Sequence, residues 1–190
     1  MTILQILTII IMIFGYGIAS AMIIRIFMVA VTLWTDVPFV PSDTASLKVA
    51  LEALDLKKGD EVVDLGSGDG KFILYAAKRY RDVNFTGLEL NKGLVLYSKI
   101  NAKLMRLKNV SFIQGDIFQF DISKFTKVYL YLTSTFVSKL MPKFREELPS
   151  GARIVSVHFG FGEKNDSDPS ITHVSVDKIL GIDRVSIWNK

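Results

Sequence analysis

Three glycines alternate with polar residues directly after a short apolar run, in the stretch EVVDLGSGDGKF at residues 61–72. Glycine has no Cβ atom, so it adopts positive φ angles readily and lets a ligand approach the backbone closely. The residues after the glycines have helical periodicity, so the stretch is typical of a strand, a turn and the start of a helix. In a parallel α/β sheet such a turn lies at the carboxyl end of a strand, where ligands bind.

Apolar runs of strand length alternate with helical segments through the rest of the chain. Seven strands are predicted, at Val62–Leu65, Val83–Leu88, Val110–Ile113, Val128–Leu132, Arg153–His158, Thr172–Val176 and Arg184–Ile187. Helices are predicted between the first five strands, at Phe72–Tyr80, Gly93–Leu107 and Ser134–Leu148. Pro142 is expected to break or restart the last helix, because proline has no N–H and clashes with the preceding turn. The alternation favours a parallel α/β sheet with helices on both faces.

The N-terminal segment carries no charged side chain from Met1 to Ile24. About 20 apolar residues suffice to cross a bilayer as a helix, so we predict a single-pass membrane anchor over residues 1–34. Arg25 and Trp34 are expected near a headgroup layer, where a charged tip or an indole ring is favoured. Basic residues follow the span, and the positive-inside tendency therefore places the C-terminal domain in the cytoplasm.

Two alternatives to the anchor remain open. A cleaved signal peptide is suggested by the A-x-A form of Ala19–Ala21, although no basic segment precedes the apolar run. A buried core helix is the other, although such a helix rarely lacks a polar face over this length. A proline-containing linker is predicted at residues 35–43, followed by a single domain over residues 44–190.

The composition excludes several kinds of site. No cysteine is present, so disulfides, a thiolate nucleophile and cysteine-ligated zinc are excluded. The two histidines, His158 and His173, lie in different segments without a metal-binding pattern, and no metal is expected. The net charge of +4 is compatible with acidic partners or lipids, but a mild excess of lysine is more often only a solubility feature.

The ligand of the glycine stretch is constrained by what the stretch lacks. A dinucleotide fingerprint requires G-x-G-x-x-G, whereas the spacing here is G-x-G-x-G and Lys71 follows. A phosphate-binding P-loop requires a final G-K-[ST], which is also missing. Asp64 and Asp69 add negative charge that would repel a pyrophosphate and suit a cation with an amino group. S-Adenosylmethionine is a ligand of this kind, because it carries both a sulfonium and an α-ammonium group.

Acidic residues at the ends of the next two strands fit the nucleoside of such a ligand. Glu89 ends the second predicted strand, where a carboxylate can accept hydrogen bonds from both ribose hydroxyls. Asp116 follows the third predicted strand and is placed to accept from an adenine amino group. The backbone N–H of Ile117 can reach a ring nitrogen.

The motifs VVDLGSGDG, GLELN and QGDIF, in this order, resemble those of the class I S-adenosylmethionine-dependent methyltransferases. The resemblance covers about Val40 to Lys190. The stretches PFVPSD, LYLTS and LPSGARIVSVHFGF resemble one subgroup, the archaeal broad-specificity protein-lysine methyltransferases and the mitochondrial ATP synthase c-subunit lysine methyltransferase family. The resemblance implies a Rossmann-like seven-stranded sheet with an antiparallel final strand, and methyl transfer to a protein lysine ε-amine.

The same resemblance implies a set of cofactor-binding residues. In the glycine stretch these are Asp64, Gly66, Ser67, Gly68 and Asp69, which would line the methionine and ribose region. In the next two motifs they are Glu89 and Asn91 of GLELN, with Glu89 on the ribose, and Asp116 and Ile117 on the adenine. Phe39 and Val40 of the linker would lie across the cofactor.

The methyl acceptor is expected at the end of the fourth strand. By period-2 alternation Tyr129, Tyr131 and Thr133 share one face of the sheet. Tyr131 and Thr133 are nearest its carboxyl end and are predicted to lie beside the methyl group as catalytic residues. A packing role for Tyr131 is equally compatible with the sequence. His158 either borders the acceptor pocket or is a hydrogen-bonded residue at a strand end, and no general base is assigned.

Rival functions are constrained unequally by the sequence. Enzymes that methylate nucleic-acid amino groups carry an Asn/Asp-Pro-Pro-aromatic stretch after the fourth strand, where this chain has YLTST, so nucleic acid is disfavoured. The only support for it is the basic helix, Lys99 to Lys108, which is more typical of a solvated face. In the predicted helix Gly93–Leu107, Leu94, Tyr97, Ile100 and Leu104 form one apolar stripe. Small-molecule methylation and a non-catalytic, membrane-tethered cofactor-binding module stay open. A protein lysine is the favoured substrate, and a membrane-embedded protein would be within reach of an anchored enzyme.

Overall fold

The computed structural model describes residues 2–32, 44–162, 165, 170–174 and 185–190. The chain divides into two compact units, residues 1–40 and 41–190. The first contains helix α1, Ile3–Thr32, whose described side chains are exposed. Its segment Ile3–Ile26 spans 24 residues with a mean hydropathy of 2.3, which is long and apolar enough to cross a membrane by length and composition.

The described residues of the second unit form four further helices and seven strands. The helices are α2 (Thr44–Leu54), α3 (Lys71–Arg79), α4 (Lys92–Leu104) and α5 (Ser134–Glu147). The strands are β1 (Glu61–Leu65), β2 (Asn84–Glu89), β3 (Val110–Gln114), β4 (Lys127–Leu130), β5 (Arg153–Val157), β6 (Ile171–Val174) and β7 (Val185–Asn189). Each strand overlaps one of the seven predicted from the sequence, so the predicted α/β class is confirmed.

The strand order of the sheet is β3-β2-β1-β4-β5-β7-β6. Strands β1 to β5 are parallel, and β7 is antiparallel to both of its neighbours, as the resemblance implies. The chain order reverses between β1 and β4, which is the topological switch point where ligands of such sheets bind. The carboxyl ends of the five parallel strands meet at one edge, so the loops that follow them lie side by side.

Two apolar cores cover the two faces of the sheet. One contains buried residues of α2, α3 and α4, and the other contains buried residues of α5. The side chains of β4 alternate between them: Tyr129 lies in the first core, while Val128 and Leu130 lie in the second. The ring of Tyr129 stacks on Phe72 of α3 with centroids 3.8 Å apart. The predicted helices on both faces are confirmed.

The prediction that Pro142 breaks or restarts the fourth helix of this unit is wrong. Helix α5 runs without interruption through Pro142. The proline removes the hydrogen bond to the carbonyl of Ser138, which costs stability. Leu140, Met141 and Phe144 are fully buried around it, and the apolar burial of this turn offsets the missing bond.

The predicted helix Gly93–Leu107 corresponds to α4. The residues of its predicted apolar stripe are divided between two faces of α4 in the structure. Leu94 is buried, together with Val95, Ser98 and Ala102. Tyr97, Ile100 and Leu104 are exposed, because they lie on the side of α4 that turns away from the sheet. Periodicity identified the helix correctly, but it could not identify which side packs.

Candidate active site

The glycine loop after β1 has a conformation that only glycine adopts without strain. The φ angles of Gly66, Gly68 and Gly70 are 85°, 55° and 76°. The backbone N–H groups of Gly66 and Ser67 both donate to the carbonyl oxygen of Leu88 at 2.9 Å, which ties the loop to the end of β2. A Cβ atom on Gly70 would lie 2.7 Å from the ring of Phe112, so this position also lacks space for a side chain.

Glu89 joins three loops at the carboxyl edge of the sheet. Its Oε2 accepts from the backbone N–H of Gly68 at 2.9 Å, and its Oε1 accepts from the backbone N–H of Asn91 at 2.9 Å. Its carbonyl oxygen accepts from the N–H of Gly115 at 3.1 Å. Each carboxylate oxygen has a second lone pair available for a ligand hydroxyl. The side chain is half-buried and stands at the end of its strand, as predicted.

Asn91 caps the helix that follows Glu89. Its Oδ1 accepts from the backbone N–H groups of Gly93 at 2.9 Å and Leu94 at 3.3 Å, so it stabilises the first turn of α4. This capping role was not anticipated from the sequence, although an asparagine directly before a helical segment is the usual signal for one. The cofactor contact implied for Asn91 stays a prediction.

Asp64 is a buried carboxyl group with two acidic neighbours. It is 3% exposed and lies in register with Tyr129 of β4. Burial raises the pKa of Asp64 well above its ordinary value, and the nearby charges of Glu89 and Asp69 raise this pKa further. Three carboxyl groups therefore meet beside the glycine loop, and a cationic ligand bound there would favour their ionised forms.

Ser67 and Asp69 complete the loop in different ways. Ser67 Oγ is buried without a hydrogen-bond partner among the described residues, and it lies 2.8 Å from where a Cβ atom of Gly87 would be. This hydroxyl is therefore packed against β2, and the space it occupies requires glycine at position 87. Asp69 is half-buried, and its Oδ1 accepts from the backbone N–H of Lys71 at 3.2 Å at the start of α3.

The loop after β3 is ordered around Asp116. Its Oδ1 accepts from the backbone N–H of Phe118 at 2.9 Å, and its Oδ2 accepts from the side-chain amide of Gln119 at 3.3 Å. Ile117 is half-buried and packs against the core that contains α5. The carbonyl oxygen of Glu89 accepts a hydrogen bond from the N–H of Gly115, so the loop that carries Asp116 and Ile117 begins beside Glu89. The adenine contacts predicted for them stay a prediction.

An aromatic cluster, defined here as Tyr131, His158 and Phe159, lies across the switch point from the glycine loop. The Tyr131 ring meets the rings of His158 and Phe159 edge to face, with centroids 5.3 Å and 6.2 Å away. His158 has a φ angle of 66°, an uncommon backbone conformation for a residue other than glycine. The sequence did not indicate Phe159, because its contact with Tyr131 depends on the backbone turn at His158, directly after β5.

Tyr131 and Thr133 both follow the end of β4. Strand β4 ends at Leu130, so the alternation used to group Tyr131 with Thr133 does not extend to position 133. Tyr131 still packs against the same core as Tyr129, whereas Thr133 is exposed at the start of α5. Its side chain makes no capping hydrogen bond there. The catalytic roles of both residues stay a prediction.

Two predicted cofactor residues, Phe39 and Val40, lie outside the described residues, as does the whole predicted linker, residues 35–43. Within the described part of the chain, no group of three histidine, cysteine or acidic residues could hold a metal ion. The site that the structure assembles therefore consists of a glycine loop, three carboxyl groups and an aromatic cluster. Carboxylates and positive-φ glycines suit a ligand that is cationic at one end and carries hydroxyl groups.

Replacement of Asp64 by asparagine is expected to stabilise the ligand-free protein at neutral pH. A carboxyl group whose pKa is raised by folding stabilises the fold below its unfolded pKa, and this contribution disappears as the pH rises through the folded pKa. Asp64→Asn removes the ionisable group, and with it the cost of keeping a carboxyl group with a raised pKa in the folded state. We expect a rise in Tm of several degrees, since about 1 kcal/mol corresponds to roughly 2–4 °C in a chain of this size.

The measurement is thermal unfolding from pH 4 to pH 8, where the advantage of Asp64→Asn should shrink as the pH falls. Asp82→Asn, at an exposed loop position, is the matched control and should leave Tm nearly unchanged. A neutral-pH Tm below that of the wild type would show that the buried carboxylate is held by favourable contacts rather than destabilised.

The family described as the ANTKMT methyltransferase domain matches residues 64–167, which is more than half of the chain. A protein-lysine N-methyltransferase of Saccharolobus islandicus is 33% identical over 124 residues, which cover 65% of this chain and 77% of that protein. The human ATP synthase c-subunit lysine N-methyltransferase is 29% identical over 181 residues, covering 90% and 71% of the two chains.

Among solved structures, an RNA methyltransferase from Salinibacter ruber in complex with S-adenosyl-L-homocysteine has a TM-score of 0.70. It is 33% identical in sequence, and the match covers 79% of this chain and 93% of that one. This chain is therefore similar to known methyltransferases, one of them solved in complex with S-adenosyl-L-homocysteine. It contains the sheet, the glycine loop and the carboxylate at the end of β2 described above.

Proposed function

We propose that this chain, which belongs to the ANTKMT methyltransferase domain family, transfers a methyl group to the ε-amine of a lysine in a protein. The chain is an S-adenosylmethionine-dependent methyltransferase, as its family and its relatives show. The observation that carries the proposal is that the aromatic cluster follows β4 and β5, while the carboxyl groups lie at the ends of β1 and β2 on the other side of the switch point. The two relatives that methylate protein lysines support lysine as the acceptor.

The residues around the glycine loop fit this cofactor. S-Adenosylmethionine supplies a methyl carbon activated by a positively charged sulfur. Glu89 would accept hydrogen bonds from the ribose hydroxyls through its second lone pairs, while its first lone pairs hold the loop. The carboxyl groups of Asp64 and Asp69 would favour the cationic methionine end. Asp116 would accept from the adenine amino group, and the backbone N–H of Ile117 would donate to a ring nitrogen.

The aromatic cluster would hold the acceptor. Only a neutral amine attacks the methyl carbon, so the lysine must lose its proton before transfer. A pocket walled by Tyr131, His158 and Phe159 would remove water from the amine and favour its neutral form. The same rings would align the amine with the methyl group, and alignment is a large part of what an enzyme contributes to a displacement reaction. Thr133, exposed beside this region, would contact the acceptor from the start of α5.

A membrane location is the second part of the proposal. Helix α1 is apolar and long enough to span a bilayer, which supports an anchor over residues 1–34 and a linker over 35–43. The catalytic domain, residues 44–190, would then lie in the cytoplasm, on the side where basic residues follow the span. An anchor raises the effective concentration of the enzyme near a membrane-embedded substrate.

RNA is the second candidate acceptor, because the similar structure from Salinibacter ruber is that of an RNA methyltransferase. Five basic residues between positions 92 and 108 could contact phosphate groups. Against it, YLTST replaces the Asn/Asp-Pro-Pro-aromatic stretch of enzymes that methylate nucleic-acid amino groups. The lysine proposal is therefore favoured.

Transfer of label to a host protein tests the proposal. The full chain in lipid nanodiscs is incubated with methyl-labelled S-adenosylmethionine and, in parallel, with membrane proteins, RNA and lipids of its host. We expect label in protein, released by acid hydrolysis as methyllysine, and no label with the Glu89→Ala variant. Label in RNA alone would establish the second candidate. Cofactor binding without any transfer would favour a non-catalytic binding module.

A further inference from the structure

The outer face of α4 exposes an unusual amount of apolar surface. Seven large apolar side chains are exposed in the described part of the second unit, and five of them lie between Leu96 and Met105. Leu96 is 59% exposed, Ile100 is 51% exposed and Leu104 is 75% exposed. Folded soluble proteins seldom leave contiguous apolar patches in water, and such a patch usually marks an interaction site.

Helix geometry places these side chains on one narrow strip. Each step of four residues turns an α-helix by about 40° beyond a full turn, so positions 96, 100 and 104 fall within about 80°. Tyr97 adjoins this strip. The opposite side of α4 carries the buried residues that pack on the sheet, Leu94, Val95, Ser98 and Ala102. The strip therefore points directly away from the sheet.

Lysines border the strip on one side. Lys92, Lys99 and Lys103 are all exposed, and their helical positions lie just beside Leu96. Residues 92–108 contain five basic side chains and no acidic one, although the whole chain has a net charge of only +4. Uncompensated positive charge therefore surrounds the largest run of exposed apolar side chains in the described part of the second unit.

We propose that this α4 face, defined as Leu96, Tyr97, Ile100 and Leu104 with their bordering lysines, docks on an anionic membrane surface. Apolar side chains would enter the region between headgroups and acyl chains, and the lysines would contact acidic headgroups. The absence of acidic residues matches a uniformly negative surface better than a protein surface of mixed charge. The helix that could span a membrane in the same chain supplies an independent reason for a bilayer nearby.

Docking through α4 would place the cofactor loop close to the bilayer. Asn91 caps α4 and donates its backbone N–H to Glu89, whose carboxylate also holds Gly68. The membrane face and the glycine loop are therefore connected through one capping turn. The inference does not depend on which acceptor receives the methyl group, since it concerns only the contact between α4 and lipid.

A fluorescent reporter on α4 tests the docking, and the natural absence of cysteine makes the labelling specific. Ile100→Cys is introduced in the full chain, labelled with an environment-sensitive dye and reconstituted in nanodiscs of phosphatidylcholine with or without phosphatidylglycerol. We expect a blue shift of the dye emission in the anionic nanodiscs. Glu52→Cys, at an exposed position of α2, is the matched control and should retain water-like emission.

Removing positive charge from the α4 face distinguishes electrostatic attraction to anionic lipids from non-specific adsorption. In the labelled chain, Lys99→Gln with Lys103→Gln should lower the ratio of docked to undocked protein about 30-fold, because each basic residue near an anionic surface changes binding about fivefold. The control pair, Lys58→Gln with Lys78→Gln, removes the same charge from exposed positions elsewhere and should leave the ratio unchanged.

Three results would overturn the proposal. The first is water-like emission from position 100 in both kinds of nanodisc. The second is an equal loss of the blue shift with the control pair, which would assign the effect to net charge alone. The third is a blue shift that appears only after a protein partner is added, which would make the α4 face a protein interface.

Discussion

Glu89→Ala is expected to weaken the binding of S-adenosylmethionine by about 10²- to 10⁴-fold. A hydrogen bond to a charged group contributes roughly 1.5–3 kcal/mol. In the proposed role, the Glu89 carboxylate accepts two such bonds, one from each ribose hydroxyl group. The variant also removes the acceptors of the Gly68 and Asn91 backbone N–H groups, so the glycine loop loses a support. Isothermal titration calorimetry with the full chain in nanodiscs would measure the dissociation constant.

Two controls separate recognition of the ribose from support of the loop. Glu89→Gln keeps the length of the side chain and one carbonyl acceptor, so it should retain more loop order than alanine while still losing affinity. Glu52→Ala, at an exposed position of α2, should leave binding unchanged. If Glu89→Ala binds the cofactor as tightly as the wild type, the ribose role is rejected.

Tyr131→Ala is expected to lower kcat for methyl transfer about 10²-fold, with little change in cofactor affinity. The ring of Tyr131 contacts both other members of the aromatic cluster, so its removal opens the proposed acceptor pocket to water. A misplacement of the reacting groups by about 1 Å is enough to cost 10²-fold in rate. Single-turnover transfer from labelled cofactor, measured beside the dissociation constant, gives both quantities.

Tyr131→Phe distinguishes the ring from the hydroxyl group. If the ring alone shapes the pocket, phenylalanine should restore most of the rate. If the hydroxyl orients the amine, the rate should stay low although the packing is kept. A variant that loses cofactor affinity but not kcat would move Tyr131 from the acceptor side of the site to the cofactor side.

The fold was largely predictable because its signals are local. Each parallel strand is a short apolar run, and each helix between strands has its own periodicity, so the elements could be placed without knowledge of their contacts. The glycines at positions 66, 68 and 70 required a turn with positive φ angles, and the structure has it. Glu89 was correctly placed at the end of β2 because strand ends follow from the same pattern.

The structural predictions fail where the conformation or burial of one segment depends on its contacts with another segment. Pro142 lies inside α5 because the residues around it are buried in a core that the local sequence does not reveal. Leu94 and Ile100 are similar in the sequence pattern, yet one is buried and the other exposed, because the position of the sheet decides which side of α4 packs. The meeting of Phe159 with Tyr131 follows from the turn at His158, which no local motif indicates.

The sequence by itself determined the order of the elements, the glycine turn and the class of ligand, because these depend on backbone freedom and on the charge of single residues. Only the tertiary structure decided which groups act together. Asp64 acquires its raised pKa from burial, from Glu89, which the pairing of β1 with β2 brings close, and from Asp69 in the loop after β1. The α4 face acquires its meaning in the same way, since exposure is a property of the assembled sheet and not of the helix alone.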